Sequence, residues 1–415
     1  METAAVERGI FQRTRAAILA TNLLNEPLFS IYALLAFILR KDLGATAFQI
    51  ALLMMLKPLV SIFSLYWCAG SVKKKRSLRS NVVWAGFLAR VPFLFFPFFD
   101  NVWFFIAAAA LHMLFLRAST PAWMEILKLN MGKKERERSF SQGSALGYAE
   151  GVLIALGFGS LLDHHLESWK LLFFLSALLG IVGVWLQQKV PVSGEDEAEA
   201  DEGERKGWKE TVLWPWKTSL DLMRTRKDFA IFQWGFMACG FGIMMIQPAL
   251  PLFFVDVLHL SYTDLAIAFS ICKGLGFVST SQMWAKAMGR FSISTCSSVV
   301  FIGVGLFPLT LLLAPFSLFW LYLAYIIYGI AQAGSHLIWN LSGPLFAKQE
   351  DSLQYTGVNI VMVGVRGMIA PPLGGAFCVL TGPIFVLVAG VGLCFLGSWT
   401  LMSRYSKRFK KLVQN

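Results

Sequence analysis

The chain has 415 residues, of which 56% are hydrophobic and only 15% are charged. Soluble domains carry about 45–50% apolar and about 25% charged residues, so this composition argues against a water-soluble enzyme. Apolar runs of roughly twenty residues, long enough to cross a bilayer core of about 30 Å, recur along the chain. We therefore interpret it as a polytopic membrane protein. Its 37 basic and 25 acidic residues then raise the question of which membrane face each charge occupies.

The apolar runs predict twelve membrane spans, numbered 1 to 12 in chain order. They cover residues 16–39, 47–70, 80–99, 102–126, 140–162, 169–188, 229–255, 264–287, 292–314, 317–341, 355–380 and 384–403. Span 1 contains Asn22, Asn25 and Glu26, so we do not expect it to be a cleaved signal peptide. The prediction is an all-α integral membrane protein.

The longest polar segment separates span 6 from span 7. It divides the chain into a six-helix bundle at 1–188, a cytoplasmic linker at 189–228 and a second six-helix bundle at 229–415. Within the linker, residues 195–204 hold seven acidic residues and predict disorder. Residues 208–226 mix tryptophan and leucine with basic residues and predict an amphipathic helix on the membrane surface. We expect the linker to be a tether, with a regulatory role as the alternative.

The basic residues predict the orientation. When residues at the span ends are counted with the adjoining loops, twenty-nine of the 37 lie in the amino terminus, the loops after even-numbered spans and the carboxyl terminus, against three in the opposite loops and five in the interior of spans. Because cytoplasmic loops are enriched in Lys and Arg, both termini are expected in the cytoplasm. The basic clusters are expected to lie against anionic membrane lipid and not to bind nucleic acid. Short loops and tails favour a bacterial inner membrane.

Unusual residues of the two halves coincide at an offset of 216 residues. The pairs are Lys57 with Lys273, Pro92 with Pro308, Ser119 with Ser335, Trp123 with Trp339, and Gly151 with Gly367. These residues are the atypical ones in their spans. We therefore interpret the chain as a weak parallel repeat.

Several short motifs carry a resemblance to a known family. Gly70 precedes a basic run after span 2, Gly289-Arg290 follows span 8, and Arg117 lies in span 4 three residues before Thr120-Pro121. Gly367 to Gly375 has the form G-x-x-x-P-P-x-G-G. With twelve spans, a linker after the sixth and both termini inside, the chain resembles the major facilitator superfamily. The resemblance implies two six-helix bundles that rock around a midplane site, a secondary transporter working by alternating access, and a function for Arg117 in proton movement.

Seven residues of the Asp, Glu, Lys and Arg types lie in the interior of predicted spans, away from the span ends. They are Glu26, Lys57, Arg90, Arg117, Glu150, Lys273 and Arg366. An ionisable side chain at the centre of a span costs at least about 2.5–3.5 kcal/mol, so each is expected to face protein or water and to have a partner. Five bases against two acids favour an anionic solute, whose charge the bases would balance.

In the first half, Glu26 lies one turn after Asn22 and directly before Pro27. It is predicted to bind and release a proton, or alternatively to pair with Lys57 or Arg117. Arg117 can hold a carboxylate or phosphate with two parallel hydrogen bonds, or form a bridge to Glu26 or Glu150. Asn22 and Asn25 are candidate solute ligands.

Glu150 shares a helix face with a stripe of glycines at 143, 147 and 151, which permits close helix packing. It is predicted to form a buried pair at a helix contact, which would act as a gate if it lay between the bundles.

Lys57 of span 2 in the first half, and Lys273 of span 8 and Arg366 of span 11 in the second half, are candidate solute ligands. Asn359, also a candidate ligand, shares a helix face with Arg366. Span 10 offers a polar run for hydrogen bonding and stacking, comprising Gln332, Ser335, His336, Trp339 and Asn340. His336 is predicted to carry a proton or, more commonly for such a residue, to be a packing histidine.

The predicted function is transport of a small polar or anionic organic solute coupled to a proton or another ion, by a monomer that uses no cofactor and no metal. No Walker A sequence is present. Asp163, His164 and His165 have no third ligand at metal spacing, so we do not expect a metal site or an enzyme. Efflux of amphipathic compounds, a membrane sensor and a membrane-embedded enzyme are the alternatives.

Overall fold

The computed structural model of the chain describes residues 2–71, 75–165, 167–192, 208–347 and 352–413. Nearly all of these residues are helical, and the described ranges contain no strand. The acidic stretch at 195–204, predicted to be disordered, lies outside the described residues.

Each of the twelve predicted spans coincides with helical structure. Spans 1 to 6 comprise Glu2–Ala33 with Leu35–Lys41, Ala47–Ser71, Lys75–Leu88 with the 3-10 helix Val91–Phe98, Val102–Asn130, Lys133–His164, and Ser168–Gln188. Spans 7 to 9 comprise Lys227–Ile246 with Ala249–Leu252 and the π-helix Phe253–Val257, Tyr262–Ala266 with the π-helix Ile267–Cys272 and Lys273–Arg290, and Ile293–Leu311 with the 3-10 helix Ala314–Phe316. Spans 10 to 12 are Leu318–Ala347, Ser352–Thr381 and Pro383–Val413.

Ten helices in the described ranges are long and apolar enough to cross a membrane, judged by length and composition. The two other predicted spans are span 2 and span 8. The helix of span 2 runs from Ala47 to Ser71, and the structure describes its side chains only as far as Val60. The sequence of span 8 is interrupted by lysine, serine and threonine. The predicted all-α membrane architecture is confirmed.

The helices form two compact units. The first unit comprises Met1–Ala45 and Val60–Lys206, and the second comprises Thr46–Leu59 and Gly207–Asn415. The beginning of span 2, including Lys57, therefore belongs to the second unit. The bundle limits expected from the sequence, 1–188 and 229–415, stay predictions.

The same packing pattern occurs inside each unit. In the first unit, span 1 packs on spans 5 and 6, and span 3 packs on spans 4 and 6. In the second unit, span 7 packs on spans 11 and 12, and span 9 packs on spans 10 and 12. The two patterns differ by a shift of six spans, in agreement with the predicted parallel repeat.

Spans 8 and 10 approach each other at glycines. A Cβ atom built on Gly329 of span 10 would lie 2.1 Å from the carbonyl oxygen of Lys273, and one built on Gly276 of span 8 would lie 2.2 Å from the carbonyl oxygen of Ile326. Only glycine permits such a backbone approach. The contact fixes the backbone of Lys273 against span 10.

Proline residues have different effects in spans 7 and 11. The prolines in the sequence predict helix breaks at Gln247-Pro248 in span 7 and at Pro371-Pro372 in span 11. Span 7 is interrupted at Gln247 and Pro248, as predicted. The break predicted at Pro371-Pro372 is wrong, since span 11 is one continuous helix, Ser352–Thr381. Close packing against span 7 supports this continuous helix, because a Cβ atom on Gly374 would lie 2.0 Å from the carbonyl oxygen of Met245.

The predicted linker helix is present at Trp208–Thr225. Its second half packs on protein in the second unit, where Ser219 is buried and Leu222 and Met223 contact the apolar core. This part of the helix therefore packs on the second unit, and its predicted position on the membrane surface stays a prediction.

Candidate functional site

A cavity of about 310 Å³ lies inside the second unit. Spans 7, 9, 10 and 11 line it, mostly with apolar side chains. Five residues predicted from the sequence meet there, namely Gln332, Ser335, His336, Trp339 and Arg366. Ligand sites have this character, with apolar walls and a few polar groups that fix orientation, and volumes from about 300 Å³ upward.

Arg366 is the charged residue of the cavity wall. Its side chain is only 7% exposed, and its Nη1 donates a hydrogen bond of 2.7 Å to the carbonyl oxygen of Phe236. The guanidinium carbon lies 4.7 Å from the centre of the Phe236 ring. Space for the group comes from Gly240, where a Cβ atom would lie 1.9 Å from Nη1 of Arg366.

The partners of Arg366 leave its charge uncompensated. Among the described residues, Arg366 forms no ion pair, and its buried Nε has no acceptor. A buried cation with no carboxylate partner carries a desolvation penalty of several kcal/mol, on the order of that known for buried ions. An anion entering the cavity would relieve that penalty.

Span 10 provides the polar and aromatic wall. Trp339 stacks on Phe236 with ring centroids 6.0 Å apart. His336 is exposed and contacts the edge of Phe277, with ring centroids 5.7 Å apart. The Oε1 atom of Gln332 is buried and accepts no hydrogen bond from any described residue. A solute in the cavity therefore meets a ring surface and free hydrogen-bonding capacity.

Lys273 lies next to this wall. Its Nζ lies 5.9 Å from the ring centre of Tyr328, another residue of the cavity lining. Lys57 is close enough to Lys273 for their charges to repel, and both lysines act electrostatically on His336. The lysines matched by the 216-residue offset are thus neighbours within the second unit.

Asn359 lies outside the cavity lining. It accepts a hydrogen bond from Gln233 Nε2 and donates one of 2.8 Å to Ser342 Oγ, and all three residues are buried. Asn359 and Arg366 both face span 7, as their seven-residue spacing predicted. This amide network joins spans 7, 10 and 11. Asn340, also a predicted ligand, is exposed on span 10.

In the first unit, Glu26 occupies a groove formed by the predicted glycine stripe. A Cβ atom on Gly151 would lie 2.4 Å from Oε1 of Glu26, and one on Gly147 would lie 3.3 Å from Oε2. The side chain of Asn22 lies against Gly143 in the same way, and its Nδ2 donates a hydrogen bond of 2.8 Å to the carbonyl oxygen of Ile18. The stripe therefore brings spans 1 and 5 together around two polar side chains.

Glu150 is the charged neighbour of Glu26. The two carboxyl groups lie close enough to interact electrostatically. Within the described part of the chain, neither forms an ion pair, and Oε2 of Glu150 is buried without a hydrogen-bond donor. The expected basic partner of Glu150 is absent from these ranges, where its neighbour is a second acid.

Arg117 and Asn25 lie in different surroundings in the first unit. Arg117 is half-buried in span 4, and no described residue forms an ion pair with it, so the expected bridge to Glu26 or Glu150 is not made. Asn25 accepts a hydrogen bond from Arg90, whose buried side chain also donates to the carbonyl oxygen of Gly86. Asn25 therefore takes part in the packing of Arg90.

Sequence reasoning missed the residues that shape the cavity from span 7. Phe236 and Gly240 carry no chemical signal in an apolar run, so their contact with Arg366 had no basis in the sequence. Gln233, an amide within that run, is visible in the sequence and belongs to the amide network with Asn359. The described residues include no group of three possible metal ligands, and His164 and His165 are exposed.

The fold and the cavity define an integral membrane protein with an internal solute-sized site. The Major Facilitator Superfamily matches residues 19–362 of the chain. The chain belongs to this superfamily, and the expected resemblance is confirmed. It is a secondary transporter by family.

Solved structures with the same fold cover nearly the whole chain. The nucleoside transporter NupG has 14% sequence identity and a TM-score of 0.71, over 94% of this chain and 99% of its own. The peptide transporter POT in complex with sulfate has 14% identity and a TM-score of 0.73, over 95% of this chain and 94% of its own. At these identities the likeness concerns the fold. No curated protein matches the chain.

Proposed function

We propose that the chain moves a small polar or anionic organic solute by alternating access, coupled to protons. The observation that carries the proposal is Arg366, a buried guanidinium facing a cavity with no carboxylate to balance it among the described residues. A guanidinium can hold a carboxylate or phosphate with two parallel hydrogen bonds. Trp339 and Gln332 would bind the uncharged part of the solute.

The proposed proton site is the pair of Glu26 and Glu150 in the first unit. Two ionised carboxylates close together in a membrane interior repel each other, so protonation of one lowers the energy of the pair. Glu26 lies in a groove of glycines, where a small helix movement would change its access to water. Such a pair can load and release one proton in each transport cycle.

We further propose that the protein works as a monomer without a cofactor. It would lie in a bacterial inner membrane, with both termini on the cytoplasmic side. The distribution of basic residues supports this orientation. Fluorescent and phosphatase reporters fused at each terminus test it. Phosphatase activity at either terminus contradicts the proposed orientation.

Counterflow in proteoliposomes tests the proposed transport. Purified protein is reconstituted with a panel of organic acids, phosphates, amino acids, sugars, nucleosides, dipeptides and cationic dyes, with and without a pH gradient. We expect exchange of one polar or anionic class, accelerated by the gradient. Exchange of the dyes alone would favour efflux of amphipathic compounds, and exchange of nothing would reject the proposal.

A further inference from the structure

A groove of about 530 Å³ lies in the first unit, where the start of span 1 meets the end of span 6. It shares no residue with the cavity that Arg366 lines. Span 1 contributes one helix face, with residues at i, i+3, i+4 and i+7, and the end of span 6 contributes the opposite wall. The lining residues are Arg13, Ala16, Ala17, Ala20, Leu186, Lys189 and Val190.

This span 1–6 groove is polar at one end and apolar at the other. Arg13 precedes the apolar run of span 1, and Lys189 directly follows the helix of span 6, so both cations belong to the membrane boundary. Ala20 lies about 10 Å deeper along span 1 than Arg13, at 1.5 Å per residue. Ala17 and Val190 are buried and form an apolar floor. The change from cations to small apolar side chains follows the direction of a lipid molecule in a bilayer.

The two cations of the groove carry no compensating acid among the described residues. Arg13 and Lys189 are exposed, neither forms an ion pair with a described residue, and no acidic residue lines the groove. The ammonium of Lys189 lies 3.3 Å from the ring centre of Trp185, which is 53% exposed. This contact holds the lysine in place without neutralising its charge. The polar end of the groove is therefore complementary to an anion.

We propose that the span 1–6 groove binds one anionic phospholipid, with its phosphate at Arg13 and Lys189 and an acyl chain along the alanines of span 1. This inference does not depend on the proposed transport function. A guanidinium and an ammonium together donate to several phosphate oxygens, and basic pockets between membrane helices bind lipid head groups. A water-soluble phosphate would leave the apolar lining empty, and a zwitterionic lipid would bring its own cation against these two.

Lipid binding to the full-length protein tests the proposal. Protein purified in detergent is titrated with dioleoyl phosphatidylglycerol, with dioleoyl phosphatidylcholine, or with glycerophosphoglycerol, the soluble head group of the first. Native mass spectrometry counts the bound molecules. We expect one phosphatidylglycerol to be retained with about tenfold or more higher affinity than phosphatidylcholine, and no binding of the soluble head group at the same concentration. The melting temperature should rise with phosphatidylglycerol, since a ligand of the folded state stabilises it.

Charge variants connect the retained lipid to the groove. Arg13→Gln combined with Lys189→Gln should weaken retention of phosphatidylglycerol about tenfold or more, with phosphatidylcholine changed less than about twofold. Exchanging the two cations, as Arg13→Lys with Lys189→Arg, should keep retention. Lys134→Gln combined with Arg138→Gln removes two exposed cations at the start of span 5. This matched control has the same net charge and should retain the lipid as the wild type does.

Filling the groove distinguishes binding inside it from attraction of lipid to a basic surface. Ala20→Leu keeps both cations and occupies the position of the acyl chain, so retention of phosphatidylglycerol should fall about threefold or more. If this variant does not fold, Ala16→Leu changes an exposed position of the same groove and should have the same effect.

Several results would overturn the lipid proposal. They are equal affinity for the two phospholipids, the same loss in the control pair as in the groove pair, and unchanged retention in the leucine variants. Binding of glycerophosphoglycerol would assign the cations to a soluble phosphate. Retention of phosphatidylglycerol only after deletion of residues 195–204 would assign the groove to that acidic stretch instead. Counterflow tests the transport function separately, so failure of one proposal leaves the other standing.

Discussion

The two units use the same helix contact for opposite charges. In the first unit, spans 1 and 5 hold Glu26 and Glu150, and glycines of span 5 make room for Glu26. In the second unit, the equivalent spans 7 and 11 hold Arg366, and Gly240 of span 7 makes room for it. The 216-residue offset that matches Gly151 with Gly367 also matches Glu150 with Arg366.

This comparison shows what a repeat preserves and what it leaves open. Backbone packing is repeated because helices must fit, and the glycine spaces are part of that fit. The side chain that occupies each space can be acidic in one unit and basic in the other without altering the packing. Under the proposed function, the first unit handles protons and the second binds the anion.

Removing the charge of Arg366 in the second unit should have the largest effect on transport. Arg366→Gln is expected to lower exchange of an anionic solute by about a hundredfold or more, because the buried cation of the cavity wall is lost. Counterflow measures the loss. The melting temperature should be unchanged or higher, because the variant no longer buries a charge that lacks a carboxylate partner.

Arg290→Gln, an exposed arginine at the end of span 8, is the control and should retain wild-type exchange. Full activity in Arg366→Gln would contradict the anionic site. A sharp fall in melting temperature would indicate that Arg366 stabilises the fold instead.

Neutralising Glu26 in the first unit should affect proton coupling more than solute binding. Glu26→Gln should abolish accumulation driven by a pH gradient while keeping exchange without a gradient within about threefold, because an amide cannot take up a proton. Accumulation measured at two external pH values checks this. Glu125→Gln, which removes a carboxylate paired with Lys128 at 3.1 Å, is the control. Unchanged pH dependence in Glu26→Gln would exclude that carboxyl as the coupling site.

Equivalent glycines should respond differently to the same substitution. In Gly367→Ala the new methyl group meets the Pro58 ring, which cannot rotate away, and we expect a loss of about 1–3 kcal/mol in stability. In Gly151→Ala it meets the end of the Glu26 side chain, which can move, so stability should change less while pH dependence shifts. Thermal unfolding and transport at several pH values compare the two. A larger destabilisation in Gly151→Ala would reverse the expected order.

The smallest effect is expected at the aromatic wall. Trp339→Leu should weaken half-saturation by about two- to tenfold, since a stacking surface contributes roughly 0.5–1.5 kcal/mol beyond its burial. Asn340→Leu changes the exposed neighbouring residue and should have no effect on half-saturation. Equal effects in the two variants would place the solute away from Trp339.

Most of the fold followed from the hydropathy pattern. Twenty-residue apolar runs have few alternatives to a membrane helix, so the positions of the spans were predictable. Interruptions within the helices were harder to predict. Proline at 248 breaks span 7, whereas Pro371 and Pro372 remain inside a helix because packing at Gly374 supports it. Such support depends on a neighbour distant in sequence.

The candidate site was only partly predictable. Intramembrane charge marked Glu26 and Arg366, and polar spacing marked the wall of span 10. The sequence did not show that Glu26 lies near another acid, or that Asn25 accepts from Arg90. Pairing between distant helices is set by how they pack, and hydropathy and spacing along one helix do not contain that information.

The π-helix Ile267–Cys272 has a consequence for how this site can vary. A π turn accommodates about one more residue than an α turn, and each residue advances an α-helix by about 100° around its axis. The direction of Lys273, directly after this segment, therefore depends on the number of residues before it. Insertion or deletion of a single residue there would turn Lys273 by about 100° around the helix axis in one event.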